Sequence, residues 1–223
     1  MTESIAWGTE DNPSKTKILD DRKFVTNSNA KKIRIDSAIA DVHVTCSNSS
    51  KIEIHLHGSI DCEDDVDFEI QGDEENDEIR IKLRFAGSCY CSDLQLDVII
   101  PHKFFKLISV KTLSANIVIA KEVLTERIEV KTRHGRVAVD ATFRKTEITT
   151  FNGNIELYTE AQKDIEVKIV TVSGNIMGEF RRIGQLELLM SKTKGVVRNS
   201  HKREAGHAAK VEISTICGDV TIR

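Results

Sequence analysis

The residues whose types and spacing could do chemistry are two short runs, "HLH" at His55 to His57 and "CYC" at Cys89 to Cys91. On a strand, positions i and i+2 point the same way, so each run offers two ligands to one face. On neighbouring strands they would supply the two histidines and two thiolates of a tetrahedral zinc site. The spacings match no established zinc motif. The same residues read equally as the exposed face of a half-buried strand and a pair of free thiols. No metal and no cofactor is therefore expected, and His55, His57, Cys89 and Cys91 are the candidates to inspect. The chain carries no Gly-rich phosphate loop with its lysine, no His-Glu-x-x-His and no Gly-x-Ser-x-Gly, so no catalytic residue is assigned.

The elements that would position these residues follow from a repeat. "TRHGRVAV", "TTFNGNIEL", "VTVSGNIMG" and "STICGDVTI" each place Thr three residues before Gly and Ile or Val two after it. With Ala115, Gly135, Gly153, Gly174, Lys194 and Gly218 as anchors, the steps are 20, 18, 21, 20 and 24 residues. Thr112, Thr132, Thr150, Thr171, Ser191 and Thr215 form one column, and Val110, Val130, Ile148, Ile169, Leu189 and Ile213 another. Ile117, Val137, Ile155, Ile176, Val196 and Val220 form a third. Each unit reads as strand, bend, strand, with Gly supplying positive φ and the next residue tolerating a turn. One unit cannot bury its own apolar face, so units must stack, with the Thr column inside and hydroxyl over hydroxyl. An array of antiparallel hairpins is the alternative, since "FNGN" also suits a tight hairpin turn.

"IRIDSAIADVHV" reads as an earlier copy, with Ala40 in the anchor place. "KIEIHLHG", "DFEIQG", "EIRIKLRF" and "LQLDVIIP" are alternating strands between it and the main array. The expected organisation is a polar, weakly structured lead-in over 1–29 with Trp7 as its anchor, a strand-rich part over 30–100, and a six-unit β-solenoid over 101–223. The fold class is all-β. Lys plus Arg total 32 against 35 for Asp plus Glu, which leaves no basic footprint for nucleic acid. Five cysteines at irregular spacing are no disulfide framework and fit a reducing compartment. No basic n-region precedes an apolar run and no apolar run is long enough to span a membrane, so a cytoplasmic location is expected.

"LQLDVIIPHKFFKLISVKTLSANIVI", followed by the Thr-x-x-Gly-Asn/Asp-Ile/Val units, resembles the bacterial putative-adhesin family of β-solenoid-like domains over roughly residues 30 to 223. The resemblance implies a right-handed stack of β-arcs, no catalytic residues to carry over, and often an envelope setting. The chain departs from it in showing no signal or anchor and in carrying Lys194, then Gly195, at the fifth bend.

The outward columns do not collect the paired carboxylates of glycoside chemistry. They do carry Phe151, Val170, Val172, Met190 and Ile216, with Met177 and Val197 alongside on the second strands. Either another layer of the chain covers these residues, or they form a contact surface for a partner or a second copy. The uncovered last strand, "GDVTIR", suggests homodimers through edge pairing, and "RNSHKREAGHAAK" is the most obvious protruding loop. The function expected is a non-enzymatic interaction or adhesion scaffold for a protein or an envelope polymer. A carbohydrate-acting solenoid enzyme and a small intracellular metal-responsive module are the alternatives.

Overall fold

The structure is a computed structural model that describes residues 16–25, 29–62, 66–73, 77–85, 89–90, 93–201 and 206–223. Trp7 and Cys91 lie outside these residues. Alternation of apolar and polar residues builds strands throughout. The first eight are β1 (Thr16–Val25), β2 (Lys32–Ser37), β3 (Asp41–Ser47), β4 (Ile52–Cys62), β5 (Val66–Asp73), β6 (Glu78–Phe85), β7 (Cys89–Tyr90) and β8 (Gln95–Pro101). Then come β9 (Phe104–Thr112), β10 (Ile117–Ile119), β11 (Leu124–His134), β12 (Val137–Asp140), β13 (Lys145–Asn152) and β14 (Ile155–Glu160). The last six are β15 (Ile165–Ser173), β16 (Ile176–Arg181), β17 (Ile183–Lys194), β18 (Val197–Asn199), β19 (His207–Cys217) and β20 (Val220–Ile222).

The strands form two sheets. One has the order β17-β19-β15-β13-β11-β9-β2-β6-β5, and the other runs β1-β4-β8-β3-β10-β12-β14-β16-β20-β18 with β7 beside β4. Each repeat unit contributes its first strand to the nine-stranded sheet and, past the bend, its second to the other, so a rung is one β-arc. Successive rungs pair in parallel, as in Val130↔Ile148↔Ile169 and Val137↔Ile155↔Ile176. A hairpin array would pair them antiparallel, so the stack is a two-sided β-solenoid. Ile33, Ile35, Val42, Val44, Val130, Ile148 and Ile155 face inward and are fully buried, in one core that runs on to Ile222.

The order of rungs in space is not their order in sequence. β2/β3 sits between β6/β8 and β9/β10. At the other end β19/β20 slots between β15/β16 and β17/β18. The last strand is therefore an interior one, and the rung left open is β17/β18. There Val197 is 45% exposed although it stands in register with fully buried Val220. Residues 202–205 of the connection after β18, part of the segment expected to protrude, lie outside the described residues.

Two further expectations change. Residues 16–25 are not weakly structured: β1 pairs antiparallel with β4 along its whole length. The fifth bend is anchored by Gly195, not Lys194. Gly195 has a φ of 114°, and a Cβ there would lie 2.2 Å from the Gly218 carbonyl oxygen. With that anchor Lys192 pairs with Thr215 and Met190 with Ile213, while Ser191 lies opposite Ser214 on the outer face. Ser191 is thus outside the Thr column and Met190 is turned toward the core.

Candidate functional site

The bend is built by close packing rather than by φ alone. A Cβ on Gly153, which has no positive φ, would stand 1.9 Å from the Gly135 carbonyl oxygen, and one on Gly174 would stand 2.0 Å from that of Gly153. At the bends anchored by Gly135, Gly153, Gly174, Gly195 and Gly218 a side chain would collide with the neighbouring backbone, whereas the earlier bends carry Ala40 and Ala115. The residue after Gly has a role that the repeat pattern did not reveal. Asn154 Oδ1 accepts the N–H of Asn175 at 2.9 Å, Asn175 Oδ1 that of Asp219 at 2.9 Å, and Asp219 Oδ1 that of Val196 at 2.8 Å. An amide or carboxylate ladder therefore stitches the bends together.

The Thr column is buried, but its hydroxyls mostly turn back on their own strands. Only Thr112 donates to the next rung, to Thr132 Oγ1 at 2.8 Å. Thr132, Thr171 and Thr215 donate to the carbonyls of His134, Ser173 and Cys217. The Thr150 hydroxyl has no partner. These residues are devoted to the stack.

The surface residues divide in a way the sequence did not show. Leu113, Arg133, Phe151, Val172 and Ile216 follow the Thr column outward on five consecutive rungs of the nine-stranded sheet, with Val170 beside them. Leu113, Phe151 and Ile216 are 58%, 48% and 49% exposed. Among the described residues no strand crosses this face, because the early strands lengthen the stack instead of covering it. With rungs about 4.8 Å apart, Leu113 to Ile216 spans about 19 Å. Met177 lies on the outer face of the other sheet, and Met190 and Val197 belong to the inner column of the open rung, so these three are not part of the stripe.

An open groove of about 630 Å³ lies at the start of the strands of the nine-stranded sheet, lined by Lys106, Arg127, Arg144, Lys145 and Lys210 and by Glu126, Asp164, Glu166 and Glu187. The outward columns gave no sign of these carboxylates. Lys145 Nζ lies 2.8 Å from Glu166, and that hydrogen bond holds the Glu166 carboxyl below its ordinary range. A general acid needs the opposite shift.

His55 and His57 stand outward on β4, over the fully inward Ile54 and Leu56. Their rings are 4.4 Å apart. The backbone register places Cys89 opposite Cys62, five residues beyond His57, or about 17 Å along the strand. His55 Nε2 bonds Asp20 of β1 at 2.6 Å, and Asp97 on β8, opposite His55 in the backbone register, bonds His57 Nε2 at 3.0 Å. Gln95 Nε2 donates to the other oxygen of Asp97 at 2.7 Å. Burial works to raise the Asp97 carboxyl, but the bonds from Gln95 and His57 outweigh it and hold the group below its usual value. Asp97 is a lone acid in "LQLDVIIP", and β4 and β8 are far apart in sequence, so no local pattern could pair them. Of the free thiols, Cys46 is pushed up to about 11 by burial and the nearby Glu122 charge, which keeps it unreactive at neutral pH.

The model of the Toastrack DUF4097 family matches residues 30–223. The chain belongs to that family. A comparable solved structure is a putative cell adhesion protein from Clostridium sporogenes, 12% identical, with a TM-score of 0.54 over 92% of this chain and 99% of that one. Another is a putative adhesin from Bacteroides fragilis, 10% identical, with a TM-score of 0.46 over 93% and 97% of the two chains. The likeness to the Clostridium protein bears on fold alone. No curated protein matches the chain. Toastrack membership agrees with the adhesin-type resemblance read from the repeats. Among the described residues no helix is long and apolar enough to cross a membrane.

Proposed function

We propose that this Toastrack chain is a non-enzymatic, adhesion-type scaffold that works at the cell envelope and engages a protein partner through the outer face of its nine-stranded sheet. The observation that carries the reading is the stripe of Leu113, Phe151, Val172 and Ile216. These apolar side chains recur at one outward position of the stack, with Leu113, Phe151 and Ile216 exposed and Val172 half-buried, on a face where an isolated solenoid should be polar. The regular residues of the repeat are spent on stacking, and the groove's carboxylates face an equal or larger number of cations. Both favour a binding surface over a reaction centre. An apolar stripe with a single Arg133 suits a protein surface better than a hydroxyl-rich polymer.

The test is retention of the purified, untagged chain on envelope fractions of the cells that produce it. The expected result is saturable binding that Phe151→Glu and Ile216→Glu together reduce at least about tenfold, since charge would be forced into an apolar contact. Binding unchanged by the pair, or no retention of the wild-type chain, would overturn the proposal.

A further inference from the structure

Independently of the apolar stripe, we propose that the outer face of the other sheet holds a divalent transition-metal site, ligated by His55, His57 and Asp97 and suited to Zn²⁺. One ligand atom from each of the three lies within 4.8 Å of the other two. The His57 Nε2 to Asp97 Oδ2 separation is 3.0 Å. Two ligands on a tetrahedral zinc ion, each bonded at about 2.0 Å, stand about 3.3 Å apart, so this pair is already spaced for one ion. The His55 ligand atom, within 4.8 Å of both, has to move closer to complete the set.

The surroundings resemble a supported site more than a chance ion pair. Two imidazoles from one strand and a carboxylate from its neighbour lie together on one face, on strands whose inward residues Ile54, Leu56 and Val98 are buried. Gln95 fixes the carboxylate oxygen that faces away from His57, the role an outer partner plays for a metal-bound carboxylate. Asp20 of β1 hydrogen-bonds His55 Nε2 at 2.6 Å and is mostly exposed, so it can swing in as a fourth ligand or leave that position to water. The two imidazoles favour zinc, copper, iron or nickel over Mg²⁺ and Ca²⁺, and the three-ligand open arrangement is one zinc accepts.

The experiment is titration of the full-length, untagged, metal-free chain with ZnCl₂ by calorimetry, and with Co²⁺ by absorption spectroscopy. The expected outcome is one equivalent of Zn²⁺ bound, binding abolished in His57→Ala and in Asp97→Ala, and affinity lowered about tenfold in Gln95→Leu. The Co²⁺ spectrum should lack a sulfur-to-cobalt charge-transfer band, because no thiolate takes part. Circular dichroism of each variant confirms that it folds, and His55→Asn, which keeps a polar outward side chain, repeats the test should either alanine variant unfold. No uptake by the wild-type chain, uptake retained in His57→Ala and His55→Asn, or a sulfur band would each overturn the proposal.

Discussion

At the scale of single residues, the molecule spends polar groups on holding rungs together. Glu78 shows the energetics. Its carboxyl is buried, with Arg34 Nε donating at 3.0 Å and Arg80 on its other oxygen. Burial alone would raise its pKa, yet the bonds and charges of Arg80 and Arg34 prevail and hold it below the ordinary carboxylate value. A depressed folded-state pKa means stability that is present above the unfolded-state value, near 4.3, and lost as pH falls through the folded one. Glu78→Gln should therefore cost about 2 kcal/mol in urea unfolding at neutral pH, a gap that closes on acidification. A gap that persisted undiminished to about pH 3 would contradict this account. The alternation of "EIRIKLRF" placed Arg80 and Lys82 on one face. It could not show that β2, some 44 residues away, would bring Arg34 to the same carboxylate.

At the scale of elements, the repeat was legible because stacking imposes the same demand on every rung. The columns through Val110, Val130, Ile148 and Ile169, and through Ile117, Val137, Ile155 and Ile176, pair in the registers their spacing implies. The fifth unit was misaligned by one residue because Ser191 imitates the Thr column. The stricter requirement is the bend, where from Gly135 onward a Cβ would collide with the neighbouring carbonyl. The Thr position is soft, and at the open rung Lys192 fills it and donates to the Val196 carbonyl at 2.9 Å. This yields a direct contrast. Gly195→Ala should destabilise the chain by about 2 kcal/mol or more through its positive φ and the Gly218 carbonyl, while Lys194→Ala should fall within about 0.5 kcal/mol of wild type. Thermal unfolding of the two variants decides between the registers; equal effects would restore Lys194 as the anchor.

At the scale of the whole molecule, the stack has two unlike ends and two unlike faces. β1, β4 and β5 run antiparallel to the strands they join at one end, while the parallel rung β17/β18 ends the other. The inverted order of the terminal rungs was not legible, because interchangeable units stack equally well in either order and the repeat pattern carries no signal for it. The faces were half legible: outward columns pointed to Phe151, Val172 and Ile216. The histidine face waited on Asp97, brought in by a strand pairing that no local pattern announces. The account's central claim is that the nine-stranded sheet, and not its opposite, meets the partner. It is tested most directly by placing a photo-crosslinking amino acid at position 151, and separately at position 138 on the outer face of the other sheet, in the cells that produce the chain. The account predicts a discrete protein adduct from position 151 and none from position 138. Adducts from position 138 alone, or from both positions equally, would contradict it.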